Sequence, residues 1–119
     1  MIRKVSKKQK IKNEEKKLKT IALHKLFLEI WDEREDPSGS CYCFETGQEL
    51  KGSIFRQNTC CYDHVLEKSK YPEYEFLKSN IIILHPDVHT SKGNNIDSTP
   101  KVRKYRYYLL SLHYENKLK

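Results

Sequence analysis

Four polar residues in the middle of the chain have types and a spacing that could support hydrolysis. Asp63 and His64 are adjacent, and Asn80 and His89 follow at intervals of 16 and 9 positions. The imidazole of histidine changes charge near neutral pH, so His64 could accept a proton from water. Asp63 and His89 offer one oxygen and one nitrogen, a pair that could hold a divalent ion and leave positions open for water and phosphate. Together these residue types are suited to metal-assisted hydrolysis.

Asp63 and His64 can share one site only if the chain bends immediately after them. Adjacent residues of a strand point to opposite faces, so a regular strand would separate the two side chains. A polar loop containing Pro72 follows the pair and provides the place for such a bend. The elements predicted around the site are an extended stretch over residues 53–64, a β-branched strand over residues 80–84, and a helix that begins at Pro86 and stops at Gly93.

These segments resemble the HNH endonuclease superfamily, and most of all the small stand-alone HNH endonucleases of phages. The resemblance implies an α+β fold with a small ββα-metal (His-Me finger) nuclease core, a long N-terminal helix and a C-terminal helix. The HNH nuclease domain would cover residues 41–116. The resemblance also implies that Asn80 braces the loop and fixes the His64 ring, so that both serve as catalytic residues. It is carried by Asp63-His64-Val65-Leu66, Lys70-Tyr71-Pro72-Glu73, Asn80-Ile81-Ile82-Ile83-Leu84 and His89.

The resemblance implies a metal-dependent endonuclease that nicks or cuts DNA. His64 would act as the general base, while Asp63 and His89 would hold one divalent ion, with Mg²⁺ or Mn²⁺ favoured over Zn²⁺ or Ni²⁺. The implied substrate is DNA, including branched or nicked DNA, and the implied location is the cytoplasm of a bacterial host of the phage. The alternative is a non-catalytic phage module that binds DNA or a partner protein on the same fold. His85 is a weaker candidate, either as a substitute metal ligand or as a helix cap.

The net charge of the chain is concentrated in a basic N-terminal arm, residues 1–19. The 119 residues carry 23 Lys and Arg against 16 Asp and Glu, a formal net charge of +7. The arm holds nine of the basic residues and only two of the acidic ones, so the remainder is electrically balanced. Such an arm suits a polyanion, because each neutralised phosphate releases counterions. The alternative is a solvated tail that aids solubility. The predicted DNA-binding residues are Lys4, Lys7, Lys8, Lys10, Lys68, Lys70, Lys101, Arg103, Lys104 and Arg106.

An amphipathic helix is predicted directly after the arm, over residues 20–36. Apolar residues recur at spacings of three and four over residues 18–31, and Pro37 ends the helix. This helix could pack on its own domain, form a homodimer, or dock on a phage or host protein. A closing helix is predicted to begin at Thr99-Pro100. No apolar run reaches the length that crosses a bilayer, so no membrane contact is expected.

The four cysteines lack the spacing of zinc knuckles. Many HNH proteins hold a structural zinc ion between two Cys-x-x-Cys pairs, whereas this chain has Cys41-Tyr42-Cys43 and Cys60-Cys61. Three of the thiolates could converge, but Cys60 and Cys61 would point opposite ways on a strand, so a fourth ligand would need a bulge. Small buried thiols are therefore expected rather than a structural zinc site or a disulfide framework.

Overall fold

The computed structural model describes residues 7–94 and 98–119. Within these ranges, two two-stranded antiparallel sheets lie among helices, so the predicted α+β class is confirmed. Single turns of 3-10 helix occur at Thr59–Cys61, Pro72–Tyr74 and Lys78–Asn80. In chain order the helices and strands are α1 (Lys7–Arg34), β1 (Ser40–Tyr42), β2 (Glu49–Lys51), α2 (Gly52–Phe55), β3 (Tyr62–His64), β4 (Ile81–Ile83), α3 (Pro86–Asn94) and α4 (Pro100–Tyr114).

Strands β3 and β4 form an antiparallel pair, and β3 carries Asp63 and His64. The three isoleucines of β4 are buried, and their β-branched side chains suit a strand because they are stiff and pack well on a pleated surface. The long loop over residues 65–80 joins the two strands, and α3 follows β4 almost directly. The register places Tyr62 opposite Ile83, Asp63 opposite Ile82 and His64 opposite Ile81.

The C-terminal third of α1 packs against β3 and forms much of the core. Phe27, Ile30 and Trp31 are buried, at the three- and four-residue spacing of one helix face. The Phe27 ring stacks on the Tyr62 ring with a centroid distance of 4.5 Å. Because Tyr62 begins β3, this contact fixes the helix relative to the strand that carries Asp63 and His64.

The N-terminal half of α1 extends beyond this packed region. Residues 7–19 of the predicted arm and the predicted amphipathic helix form one helix, with no boundary at residue 20. The apolar stripe is covered only from Leu23 onward, and Ile11, Leu18 and Ile21 are more than half exposed. At 1.5 Å per residue the helix is about 42 Å long. Its buried residues, Phe27, Ile30 and Trp31, all lie in its C-terminal third.

Hydrogen bonds at the C-terminal end of α1 fix this helix to both sheets. Arg34 Nη1 donates to the carbonyl of Ile81 at the start of β4, at 2.7 Å. Trp31 Nε1 donates to the carbonyl of Gly39, just before β1, at 3.2 Å. Gly52 allows its backbone segment to lie close to Gly39, because a Cβ atom at position 52 would be 2.5 Å from the Gly39 carbonyl oxygen.

The extended stretch predicted over residues 53–64 is wrong for most of its length. Only Tyr62–His64 is a strand, whereas α2 occupies Gly52–Phe55 and a 3-10 turn occupies Thr59–Cys61. Asn58 caps this turn, and its side-chain oxygen accepts a hydrogen bond from a backbone N–H of the turn at 3.0 Å. Such a local side-chain contact gives the backbone an alternative to strand pairing.

Both helix starts predicted from proline are confirmed. Pro86 is the first residue of α3, and Pro100 is the first residue of α4. The predicted stop at Gly93 is one residue early, because α3 continues to Asn94. Across residues 7–94 and 98–119, no helix combines the length and apolar character needed to cross a membrane.

Candidate active site

Asp63 and His89 come together on the hairpin–helix unit formed by β3, β4 and α3. Asp63 is the central residue of β3, and only 7% of its surface is exposed. His89 is the fourth residue of α3, so it lies in the first turn of the helix that follows β4. The His89 Nδ1 atom is 3.7 Å from the Asp63 Oδ1 atom. The two residues predicted as metal ligands are therefore neighbours in space.

The geometry of this pair fits a shared divalent ion. Nδ1 of His89 is buried and makes no hydrogen bond within the described part of the chain, since 3.7 Å is too long for one to Asp63. Ligand atoms lie about 2.0–2.2 Å from a tetrahedral zinc ion, so two of its ligand atoms are about 3.3–3.6 Å apart. The 3.7 Å between Nδ1 of His89 and Oδ1 of Asp63 is close to this range. The described residues contain no cluster of three or more His, Cys, Asp or Glu side chains suited to a metal. An ion held by this pair would keep most of its coordination positions for water and substrate oxygens.

Asn80 holds the loop that joins β3 to β4. Its side chain is fully buried and makes three hydrogen bonds to the backbone. Oδ1 accepts from the Leu66 N–H at 2.7 Å, and Nδ2 donates to the carbonyls of Leu66 at 3.1 Å and Tyr74 at 3.2 Å. Because Leu66 and Tyr74 lie eight positions apart in the loop, one side chain ties two of its segments together.

His64 ends β3, and the chain bends at the two residues that follow it. The ring is half-buried and lies 6.2 Å from the Phe27 ring, measured between centroids. Its Nε2 is 2.8 Å from the backbone carbonyl oxygen of Glu75. A carbonyl can only accept a hydrogen bond, so Nε2 carries the proton and the neutral ring keeps a lone pair on Nδ1. The contact from Glu75 uses a backbone atom, and no residue type in the sequence could indicate it.

Arg106 connects α4 to the loop segment directly after His64. Its Nη1 donates to the Val65 carbonyl at 3.0 Å and to Glu67 Oε2 at 2.7 Å. The sequence predicts Arg106 as a DNA-binding residue; in the structure its side chain is 30% exposed and forms an ion pair with Glu67. Its role in holding the loop is missed by sequence reasoning, because about 40 positions separate the partners and no spacing rule relates them.

In comparisons with known proteins, the chain matches no protein-family model, no curated protein and no solved structure. The resemblance to HNH endonucleases therefore depends on the quoted motif residues.

The other predicted DNA-binding residues lie on three elements. Lys4 lies outside the described residues, and so does the side chain of Lys7. Lys70 pairs with Glu67 at 3.7 Å, which reduces the charge that the loop presents. The exposed residues are Lys8 and Lys10 on α1, Lys68 and Lys70 on the loop, and Lys101, Arg103 and Lys104 on α4.

The cysteines are free thiols, and three of them lie in the core. Cys41, Cys43 and Cys61 are buried, while Cys60 is exposed. Burial raises the pKa of Cys41 and the pKa of Cys61 to about 11. Both thiols therefore stay protonated at neutral pH when no metal ion is bound.

His85 caps the N-terminus of α3. Its Nδ1 accepts a hydrogen bond from the backbone N–H of Asp87 at 3.1 Å, and its own backbone N–H lies 3.4 Å from Cys43 Sγ. Burial acts to raise the pKa of Cys43, but hydrogen bonds from Thr46 and from the His85 N–H outweigh burial and place this pKa below its ordinary value. The sequence predicts His85 as a substitute metal ligand or as a helix cap. The hydrogen bond from the Asp87 N–H is that of a helix cap.

Proposed function

We propose that this protein is a metal-dependent endonuclease of the HNH type that hydrolyses DNA phosphodiester bonds. The unit of β3, β4 and α3 would be its ββα-metal core. The observation that carries the proposal is the buried His89 Nδ1, which makes no hydrogen bond within the described chain and lies 3.7 Å from the Asp63 carboxylate. The residue adjacent to Asp63 is His64, whose ring is oriented through Nε2 by the Glu75 carbonyl.

Each residue of the site has a distinct role in this proposal. Asp63 and His89 hold the divalent ion, which when bound stabilises negative charge on the phosphate and on the leaving oxygen. His64 uses Nδ1 to take the proton from the attacking water, because Nε2 is committed to Glu75. Asn80 acts by positioning, since it holds the loop that supplies the Glu75 carbonyl.

DNA is the proposed partner, and branched or nicked DNA remains the favoured form. An open depression of about 540 Å³ beside α4 is lined by Phe44, Tyr105 and Tyr108 together with Lys101 and Lys104. Aromatic rings next to ammonium groups suit a nucleic acid, because bases stack on the rings and phosphates pair with the cations. The same proposal includes a phage-encoded protein that acts in the cytoplasm of a bacterial host.

Nicking of supercoiled plasmid tests the proposed activity. The purified protein is incubated at neutral pH with Mg²⁺, Mn²⁺, Ni²⁺ or Zn²⁺, with EDTA as the blank, and branched and linear oligonucleotides are assayed in parallel. We expect nicked or linear product with at least one ion and none with EDTA. Absence of cleavage with every ion and every substrate would favour the alternative, a non-catalytic module that binds DNA or a protein.

Metal binding should depend on both predicted ligands. We expect Asp63→Asn and His89→Ala each to weaken Mn²⁺ binding by at least about 10- to 100-fold, the loss typical even of residues that only support a ligand. Calorimetric titration with Mn²⁺ measures this without any cleavage assay. Asp87→Asn is the matched control, because Asp87 lies on the same helix with its side chain 93% exposed. Equal Mn²⁺ affinity in His89→Ala and the wild type would contradict the assignment.

A further inference from the structure

A basic groove runs between α1 and the loop that follows β3. Its volume is about 460 Å³, and its walls include Lys16 and Lys19 on the helix and Lys68, Pro72 and Glu75 on the loop. The two helix lysines are three positions apart and therefore lie on the same face of α1. This α1–loop groove is separate from the depression beside α4.

The groove carries a positive charge that the protein balances only in part. Glu75 is its one acidic wall residue, and its Oε2 lies 3.8 Å from Lys19 Nζ. The Glu75 side chain is only 11% exposed, whereas that of Lys19 is 67% exposed. Lys16 and Lys68 form no ion pair with any carboxylate in the described ranges. An anion entering the groove would therefore meet at least two uncompensated ammonium groups.

The groove is next to the proposed general base. Glu75 belongs to its wall, and the backbone carbonyl of the same residue accepts the hydrogen bond from His64 Nε2 at 2.8 Å. The helix wall is also held in place, because Phe27, two turns after Lys19, packs against Tyr62 at 4.5 Å and lies 6.2 Å from the His64 ring. The lysines of α1 are therefore positioned relative to His64 by the core of the protein.

We propose that the α1–loop groove binds the sugar–phosphate backbone of duplex DNA beside the scissile bond, with Lys16, Lys19 and Lys68 contacting phosphates. The position of the scissile bond rests on the proposed function, whereas binding of the backbone does not. Lysine contacts to phosphate are independent of sequence, so this surface sets the register of the duplex and reads no bases. Lys16 and Lys19 belong to the basic arm predicted from the sequence, and the groove gives them a defined position opposite Lys68.

The salt dependence of DNA binding tests the groove. Binding of a fluorescent 20-base-pair duplex is measured by anisotropy in EDTA at several salt concentrations, with the full chain carrying Lys16→Gln, Lys19→Gln and Lys68→Gln together. Each lost duplex phosphate contact flattens the slope of log K against log salt by about 0.9, so three contacts remove about 2.7. The control combines Lys25→Gln, Lys51→Gln and Lys119→Gln, which removes the same charge from exposed positions outside both the groove and the predicted arm.

The two proposals fail separately in this design. If the slope of log K against log salt flattens more in the groove variant than in the control variant, DNA binding by the groove is supported even when the plasmid assay finds no cleavage. If the two triple variants have the same salt slope, the proposal that the groove binds DNA is overturned even if the protein cleaves DNA. If the protein does cleave, the groove variant should raise KM and leave kcat nearly unchanged, since none of Asp63, His64, Asn80 or His89 is altered.

Discussion

Replacing His64 with alanine is expected to lower the turnover of DNA cleavage by a factor of about 100 to 10,000, the usual contribution of a general base. The affinity for DNA should change little, because the substitution removes no phosphate-binding cation. We therefore expect a lower kcat at saturating DNA and a nearly unchanged KM. Single-turnover cleavage of a labelled duplex with Mn²⁺, together with anisotropy in EDTA, separates the two quantities.

A second variant distinguishes loss of the base from damage to the loop. In His64→Gln the side-chain amide can still donate to the Glu75 carbonyl, but it cannot accept a proton from water as imidazole does. We expect this variant to be as inactive as His64→Ala while keeping the thermal stability of the wild type. His24→Ala is the control for removing an imidazole, since His24 is exposed on α1. Turnover of His64→Gln close to the wild-type value at neutral pH would remove His64 from the mechanism.

Replacing Asn80 with alanine is expected to lower the free energy of unfolding by about 2–5 kcal/mol, because each backbone group left without its partner costs about 1–3 kcal/mol. The two groups left without a partner are the N–H and the carbonyl of Leu66. The Tyr74 carbonyl loses the bond from Asn80 but still accepts one from the Leu77 N–H at 3.2 Å. Cleavage should fall as well, since the loop supplies the carbonyl that orients His64. Urea unfolding followed by circular dichroism measures the stability, and the m-value checks that the transition stays cooperative.

The neighbouring residue provides a matched control for Asn80. Ser79 Oγ is buried and has no hydrogen-bond partner among the described residues, so Ser79→Ala should be neutral or slightly stabilising. Asn80→Asp is a second test, because a carboxylate could accept from the Leu66 N–H but could not donate to either carbonyl. It should also destabilise the protein at neutral pH. If Asn80→Ala proved as stable as Ser79→Ala, the three hydrogen bonds would have no net role in the fold.

Local chemistry accounts for the parts of the fold that the sequence predicted correctly. Pro86 and Pro100 begin α3 and α4 because proline lacks the N–H that the first helical turn leaves unpaired and has its φ angle already set. The run of three isoleucines forms β4, since these side chains are apolar and stiff. Residues 53–64 were harder to predict, because the side-chain cap of Asn58 competes with strand pairing over the same backbone.

For the candidate site too, some features follow from the sequence and others only from the tertiary structure. The sequence by itself determined which residues could do the chemistry, because residue type fixes proton affinity and ligand preference, and it determined that the charge lies near the N-terminus. Only the tertiary structure decided that His89 lies 3.7 Å from Asp63, that Glu75 orients His64 through its backbone, and that Arg106 forms an intramolecular ion pair. These contacts join residues 11 to 41 positions apart, and the packing of α1, α3 and α4 around the β3–β4 pair brings them together. Local sequence rules act over about one turn of helix or one pair of strands, so they cannot specify such contacts.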